Sequence, residues 1–225
     1  MPISRTNYWQ SLQIGSTYHI YNRAVGRDNL FINDENGKFF LRQWKKYLPY
    51  LEVYGYCLMP NHFHFLVGVQ PLNAVLHTHI AEQTTQASQA FRAGDITYAS
   101  YLEQQFKRLF ASYALAFNKQ NERHGALFQK RFKRIAITSE KRQRYLLAYI
   151  HHNPIHHGYC ADYSEWNLSS YLAYQTSDKP TAIARNVVYR WFAKTDESKG
   201  KLHFDQYHHD FKIDRRMERD TLESA

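Results

Sequence analysis

The sequence predicts an α+β domain, and three observations lead there. Strand-forming runs and segments of helical period are mixed without a strict strand–helix alternation. No glycine-rich turn follows a strand, which disfavours a doubly wound nucleotide-binding fold. Leu51–Met59 and His62–Val69, both rich in strand formers, are separated only by Pro60-Asn61, as in a hairpin.

The elements follow in order. Ser16–Asp28 (STYHIYNRAVGRD) opens on β-formers and ends in a Gly-Arg-Asp turn signal, as a strand entering a loop does. Asn36–Leu48 carries Phe39, Phe40, Trp44 and Leu48 at helical spacing and is closed by Pro49. After the hairpin, the polar, His- and Gln-rich Leu72–Thr97 reads as a helix inserted into the fold, with Gly94-Asp95 as a breaker. Tyr101–Asn118 is strongly helical, with Leu102, Phe106, Leu109, Phe110, Tyr113, Ala114 and Phe117 along one side. The loop Lys119–Gly125 leads into Ala126–Ile137 (ALFQKRFKRIAI), which alternates aromatic or apolar residues with basic ones before a short strand. Ser139-Glu140 caps a helix expected from Lys141 to about His152, ended by Pro154 and Gly158. From about Gln175 the chain carries Trp191, Phe192, Phe204 and Phe211 among Lys, Asp and His, and reads as an extension with a short helix or two. Beyond about Asp214 a charged tail is expected to fray. The 225 residues suit one sizeable domain, 1–172, with a C-terminal helical extension, 173–225.

Composition narrows the function classes. With 29 Lys+Arg against 20 Asp+Glu the formal charge is +9, and aromatics make up 16% of the chain. Only 9 Gly and 6 Pro argue against disorder and low-complexity linkers. Two cysteines, Cys57 and Cys160, build neither a disulfide framework nor a four-cysteine zinc site, so a reduced, cytoplasmic setting is expected. No apolar run approaches the ~18 residues of a membrane span, and no membrane partner is expected. A basic, aromatic-rich chain of this kind points to nucleic acid, although a solvated basic surface would give the same balance.

Three patterns carry chemistry. In His62-Phe63-His64 the imidazoles are two apart, so on a strand both project from one face while Phe63, Phe65 and Val67 project from the other. One face can then hold a metal while the other packs the core. His77-Thr78-His79 has the same spacing in a helical stretch, where the two side chains diverge. Tyr149 and Asn153, four apart on a helix, stack one turn from each other, so that a phenol and an amide oxygen can address one point. Pro154 disfavours α geometry at Asn153, and His151, His152, His156 and His157 are competing ligands. A tyrosine packed in the core and an asparagine capping a helix would leave the same trace. His208-His209 reads as a pair of surface histidines. Finally, Lys107, Arg108, Lys119, Arg123, Lys130, Arg131, Lys133 and Arg134 are interleaved with Phe128 and Phe132, a pattern suited to phosphate contacts and base stacking on single strands.

In order and motif the chain resembles the single-tyrosine transposases of the His-hydrophobic-His (HUH) nuclease superfamily, and within it the REP-associated tyrosine transposases and insertion-sequence transposase-like proteins. The matching residues are YHIYNRAVGRDNLF (Tyr18–Phe31), GYCLMPNHFHFLV (Gly55–Val67), the basic-aromatic block Gln105–Arg134, AYIHHNPIHHG (Ala148–Gly158) and EWNLSSY (Glu165–Tyr171), within residues 8–172. MPNHFHFLV followed by YIxxNP is the most specific combination. The segment from about His77 to Ser100 is longer and more polar than the family pattern.

The resemblance implies a ferredoxin-like or RRM-like core with a central antiparallel sheet, His62 and His64 on a middle strand and Tyr149 on a helix beside it. It makes Tyr149 the nucleophile and His62, His64 and Asn153 the metal ligands, with His152 as the alternative third ligand. Arg23, Lys107, Arg108, Arg123, Lys130, Arg131, Lys133 and Arg134 are the DNA-contact set. The expected activity is that of a metal-dependent, single-strand-specific DNA endonuclease and strand transferase. It would act on single-stranded DNA bearing a hairpin and leave a 5′-phosphotyrosine link and a free 3′-hydroxyl. The mixed N and O donors admit Mg²⁺ or Mn²⁺, with Mn²⁺ the better match to imidazole. A tyrosine phenol, of ordinary pKa about 10, needs a nearby cation or base to react near neutral pH. Relatives act as domain-swapped homodimers or as monomers. Two rivals stand beside this reading: a non-catalytic, domesticated DNA- or RNA-hairpin-binding protein, and a metal-dependent hydrolase that uses water.

Overall fold

β-Branched and aromatic residues in alternation draw four segments into one sheet: β1 (Thr17–Arg23), β2 (Leu51–Met59), β3 (His62–Val69) and β4 (Lys133–Ala136). In the computed structural model, which describes residues 7–176 and 179–214, the strand order is β2-β3-β1-β4 and every neighbouring pair is antiparallel. The expected hairpin is present, with Met59 opposite His62 and Cys57 opposite His64. On its other side β3 pairs with β1, setting Tyr21 opposite His64 and Arg23 opposite His62. All eight residues of β3 are buried because it has a strand on each side and a helical layer on each face.

Helix α1 (Asp34–Tyr47) follows β1, and α2 (Ala74–Ala81), α3 (Gln86–Ala93) and α4 (Tyr98–Gln120) lie between β3 and β4. With α4 as the second crossover helix this is the βαββαβ order of a ferredoxin-like α+β core. Phe63, Phe65, Val67 and Val69 pack with Phe40 and Trp44 of α1 and with Phe106, Leu109 and Tyr113 of α4. The Trp44 and Phe65 rings lie 3.6 Å apart and nearly parallel.

The opposite sheet face carries Cys57, Met59, Leu66 and Ile135. It is covered by α5 (Glu140–His156), through Leu146, Leu147 and Ile150. Helices α7 (Arg185–Phe192) and α8 (Glu197–His209) pack on each other, with α7 touching both α5 and β2, and are reached through the 3₁₀ turn Tyr163–Glu165 and the short α6 (Tyr171–Gln175). Tyr174, Val188, Tyr189 and Phe204 add to this second core. Both outer strands are met by irregular backbone, which blunts them as edges. Leu58 N–H donates to the Leu168 carbonyl (2.9 Å) on the β2 side, and Arg134 N–H to the Tyr8 carbonyl (2.8 Å) on the β4 side. Among the described residues no helix is long and apolar enough to cross a membrane.

Three expectations are corrected. Leu72–Thr97 is two helices rather than one: the Thr85 hydroxyl accepts from Ser88 N–H and starts α3, and Gly94, at φ +82°, ends it in a left-handed cap. Helix α5 does not stop before Pro154 but runs through it to His156. Pro154 falls in the last turn, where its missing N–H costs one bond, and the exit is secured by His157 N–H on the Asn153 carbonyl (3.0 Å) and Tyr159 N–H on the Pro154 carbonyl (2.8 Å). His208 is buried at 1% exposure, bonded to His151 and to the Phe204 carbonyl, while His209 is exposed. The expected fraying beyond Asp214 lies outside the described residues.

Close approach of α5 to the sheet depends on Gly55. A Cβ there would overlap the Leu147 side chain and come within 3.4 Å of His151 Nε2 and Ser170 Oγ. Gly55→Ala is expected to destabilise the fold by about 1–3 kcal/mol and to reduce activity by moving α5. A thermal melt with an unchanged Tm would contradict this.

Candidate functional site

Two elements supply the site. The period-two alternation of β3 places His62 and His64 on the α5 side of the sheet, their ring centroids 5.0 Å apart and nearly perpendicular. Helix α5 brings Tyr149 and Asn153 over them. The Tyr149 ring lies 6.4 Å from that of His64, and Asn153 Oδ1 lies 3.5 Å from His62 Nε2. The Asn153 amide N–H₂ donates to the Tyr149 carbonyl one turn back (3.3 Å), which fixes which end of the amide faces the histidine. Tyr149 is 7% exposed and Asn153 1%.

Neighbours hold each imidazole. His62 Nδ1 lies 2.7 Å from Asn61 Oδ1, and His64 Nδ1 lies 2.9 Å from His19 Nε2 of β1. His19 in turn stacks on Tyr21 at 4.5 Å. Burial lowers the His62 pKa to about 4, opposed by the bond that its protonated form donates to Asn153 and assisted by His157 and Arg23. Burial, followed by the other histidines, pushes His64 well below its ordinary value. Both rings are therefore neutral at pH 7 and carry one N–H each. For His62 the shorter contact assigns that proton to Nδ1, so the Nε2 lone pair faces the Asn153 oxygen, another acceptor. Two lone pairs aimed at each other are a poor hydrogen bond and a natural seat for a cation, with Asn61 orienting the ring from behind. His64 Nδ1 is engaged by His19 Nε2, so Nε2 is the ring nitrogen of His64 outside that contact.

The donor set thus fits a divalent cation held by two imidazoles and one amide oxygen. Among the described residues no three His, Cys, Asp or Glu side chains form a metal-holding group, so the set depends on Asn153. Of its rivals, His152 turns its Nδ1 to the Tyr163 hydroxyl (3.2 Å), and His151 is bonded between Ser170 and His208. His156 and His157 are exposed, with the His157 ring 5.6 Å from that of His62. His77 and His79 lie on α2, away from this cluster.

The depressed histidines set a pH dependence. His62 and His208 have folded pKa values of about 4 against an ordinary 6.5. Between those values the unfolded chain binds more protons, so stability is complete above about pH 6.5 and is lost as pH falls toward 4. Each group should contribute a slope on the order of 1 kcal/mol per pH unit. Urea midpoints measured from pH 7 to 4.5 should fall steadily, and a flat profile would contradict the buried, neutral assignment.

The basic residues are not gathered on one face. Half-buried Arg23 stands opposite His62 on the site face. Lys133 is on that face too, its ammonium 5.0 Å from the Tyr8 ring and 5.5 Å from that of Tyr21. Lys107, Lys130 and Arg131 instead line a groove of about 610 Å³ on the α4 side of the sheet, with Trp9, Phe110, Phe128 and Phe132. The remaining three are tied into the fold. Arg108 bonds Gln83 and Gln105, Arg123 bonds Asp28 and the Ala126 carbonyl, and Arg134, 8% exposed, bonds Glu103 and the Gln10 carbonyl.

Sequence reasoning missed His19, Tyr21, Asn61 and Trp9. The alternation in YHIYNR places His19 and Tyr21 on one face, but only strand register shows that this face is shared with His64.

The chain resembles known proteins in both sequence and fold. It is 27% identical over 173 residues, 74% of this chain and 85% of the relative, to a Haemophilus influenzae protein named "Putative REP-associated tyrosine transposase". A solved structure of a REP-associated tyrosine transposase bound to a REP hairpin superposes with a TM-score of 0.51 at 16% identity, covering 79% of this chain and 89% of the other. No family model matches the chain.

Proposed function

We propose that the chain is a metal-dependent, single-strand-specific DNA endonuclease and strand transferase that acts at hairpin-bearing DNA through Tyr149. The observation that carries the reading is the meeting of α5 and β3, where the Tyr149 ring and the Asn153 oxygen close on His62 and His64. The hairpin partner is suggested by the REP hairpin in the structural neighbour and by the name of the curated relative.

His62, His64 and Asn153 would hold Mg²⁺ or Mn²⁺, which supplies charge against the phosphate oxygens and aligns the scissile group. The chain's own residues do the rest. Tyr149 Oη attacks phosphorus and gives up its phenol proton, the P–O3′ bond breaks, and the leaving 3′ oxygen takes up one proton in exchange to become a hydroxyl. The phosphotyrosine ester keeps the energy of the broken bond, so a second 3′-hydroxyl can reverse the step as strand transfer. Arg23, which pairs with His62 in the strand register, would contact a neighbouring phosphate.

The deciding experiment incubates the protein with hairpin-bearing single strands and Mn²⁺, then denatures it. The expected result is a covalent protein–DNA adduct that EDTA prevents. Cleavage without an adduct would favour the water-using hydrolase, and tight binding without cleavage the non-catalytic hairpin binder.

A further inference from the structure

We infer that the groove on the α4 side of the sheet is a second nucleotide subsite, which takes one unstacked base of single-stranded DNA beyond the reacting phosphate. The inference rests on the reading of the chain as a binder of single strands, but it concerns a different face of the sheet from His62 and Tyr149. The groove has a volume of about 610 Å³, within the range of sites that take small organic ligands. Its floor is aromatic: Phe132 stacks on Phe106 at 4.4 Å and lies 5.6 Å from Phe110. Its rim is cationic, with Lys107, Lys130 and Arg131 all exposed and, among the described residues, none of them in an ion pair. The one carboxylate in the lining, Glu103, is already bonded to Arg134. An unneutralised basic rim over an aromatic floor matches a nucleotide, phosphate outward and base inward.

Trp9 marks where the base enters. It is 47% exposed, its indole lies under the Arg131 guanidinium at 5.7 Å, and its backbone runs beside β4 at Arg134. A half-exposed indole steadied by a cation presents an aromatic surface suited to stacking on a base. The path to the reacting centre is also basic and aromatic. Over the β4 edge the next residues are Lys133 and Tyr8, then Tyr21, whose ring lies 5.7 Å from that of His64. A strand seated in the groove would therefore cross the β4 edge before reaching Tyr149.

The test measures anisotropy of a labelled (dT)12 strand and of an all-abasic strand of the same length, as a function of salt. Trp9→Ala is expected to weaken (dT)12 roughly tenfold, with the salt slope unchanged and abasic binding unaffected. Lys107→Ala with Lys130→Ala should weaken both strands and reduce the slope of log K against log salt by about 1.4, or about 0.7 per phosphate contact. Equal binding of (dT)12 by wild type and Trp9→Ala, equal weakening on the abasic strand, or no (dT)12 binding by the wild type would overturn the subsite. A Trp9-dependent preference for bases with no tyrosine adduct would keep the subsite and remove the proposed reaction. An adduct without that preference would do the reverse.

Discussion

Replacing Tyr149 by Phe is expected to abolish the covalent protein–DNA adduct and to lower strand cleavage by at least about a thousandfold, while hairpin binding persists. The substitution removes one oxygen and keeps the ring, which packs 6.4 Å from both Tyr145 and His64. Stability should therefore change by no more than about 1 kcal/mol, the worth of a hydroxyl's hydrogen bonding. A 3′-labelled strand is the informative substrate, because a 5′-phosphotyrosine retains the 3′ side and releases a 5′ fragment with a free hydroxyl. Label that still migrates with the denatured Phe variant would assign the nucleophile to another of the chain's tyrosines.

His62→Ala should remove metal-dependent cleavage and also a signal that requires no turnover. Wild-type protein at hundredfold excess of Mn²⁺ over its dissociation constant gains about 2.7 kcal/mol of stability, a shift of several degrees in Tm. The variant should show almost none, because Asn153 loses the partner that faces it at 3.5 Å. Without metal the variant should remain folded at pH 7 and should lose less stability on acidification, since the group with a pKa of about 4 is gone. A variant that fails to fold even at pH 7 would make His62 a core residue. A Tm shift with Mn²⁺ equal to that of wild type would place the metal elsewhere.

Much of the core was legible because its signal is local. The hairpin around Pro60-Asn61, the apolar stripe from Leu102 to Phe117 and the alternation of His62 and His64 with Phe63 and Phe65 each follow from a single periodicity. Pro154 misled for a local reason as well. Proline biases the residue before it, but in a last turn already packed against the sheet the bias is outweighed, and Asn153 stays helical. His208 misled because polarity suggests exposure, whereas its two ring nitrogens are satisfied by His151 and the Phe204 carbonyl.

The basic block shows the same limit. Spacing along the chain marked Lys107 to Arg134 as one unit, yet α4, the following loop and β4 carry its members to different places. Lys107, Lys130 and Arg131 are in the groove, Lys133 is on the site face, and Arg108, Arg123 and Arg134 are bound into the fold. Neutralising the last three would test folding rather than DNA contact.

By itself the sequence determined the α+β class, the face that His62 and His64 share, and the one-turn stacking of Tyr149 on Asn153, because periods of two and 3.6 act between near neighbours. Only the tertiary structure decided that these two pairs meet, that Asn153 rather than His152 faces His62, and that His19 and Asn61 hold the imidazoles from behind. Those outcomes depend on strand register and on how closely α5 approaches the sheet over Gly55, contacts between residues far apart in the chain that no local period encodes.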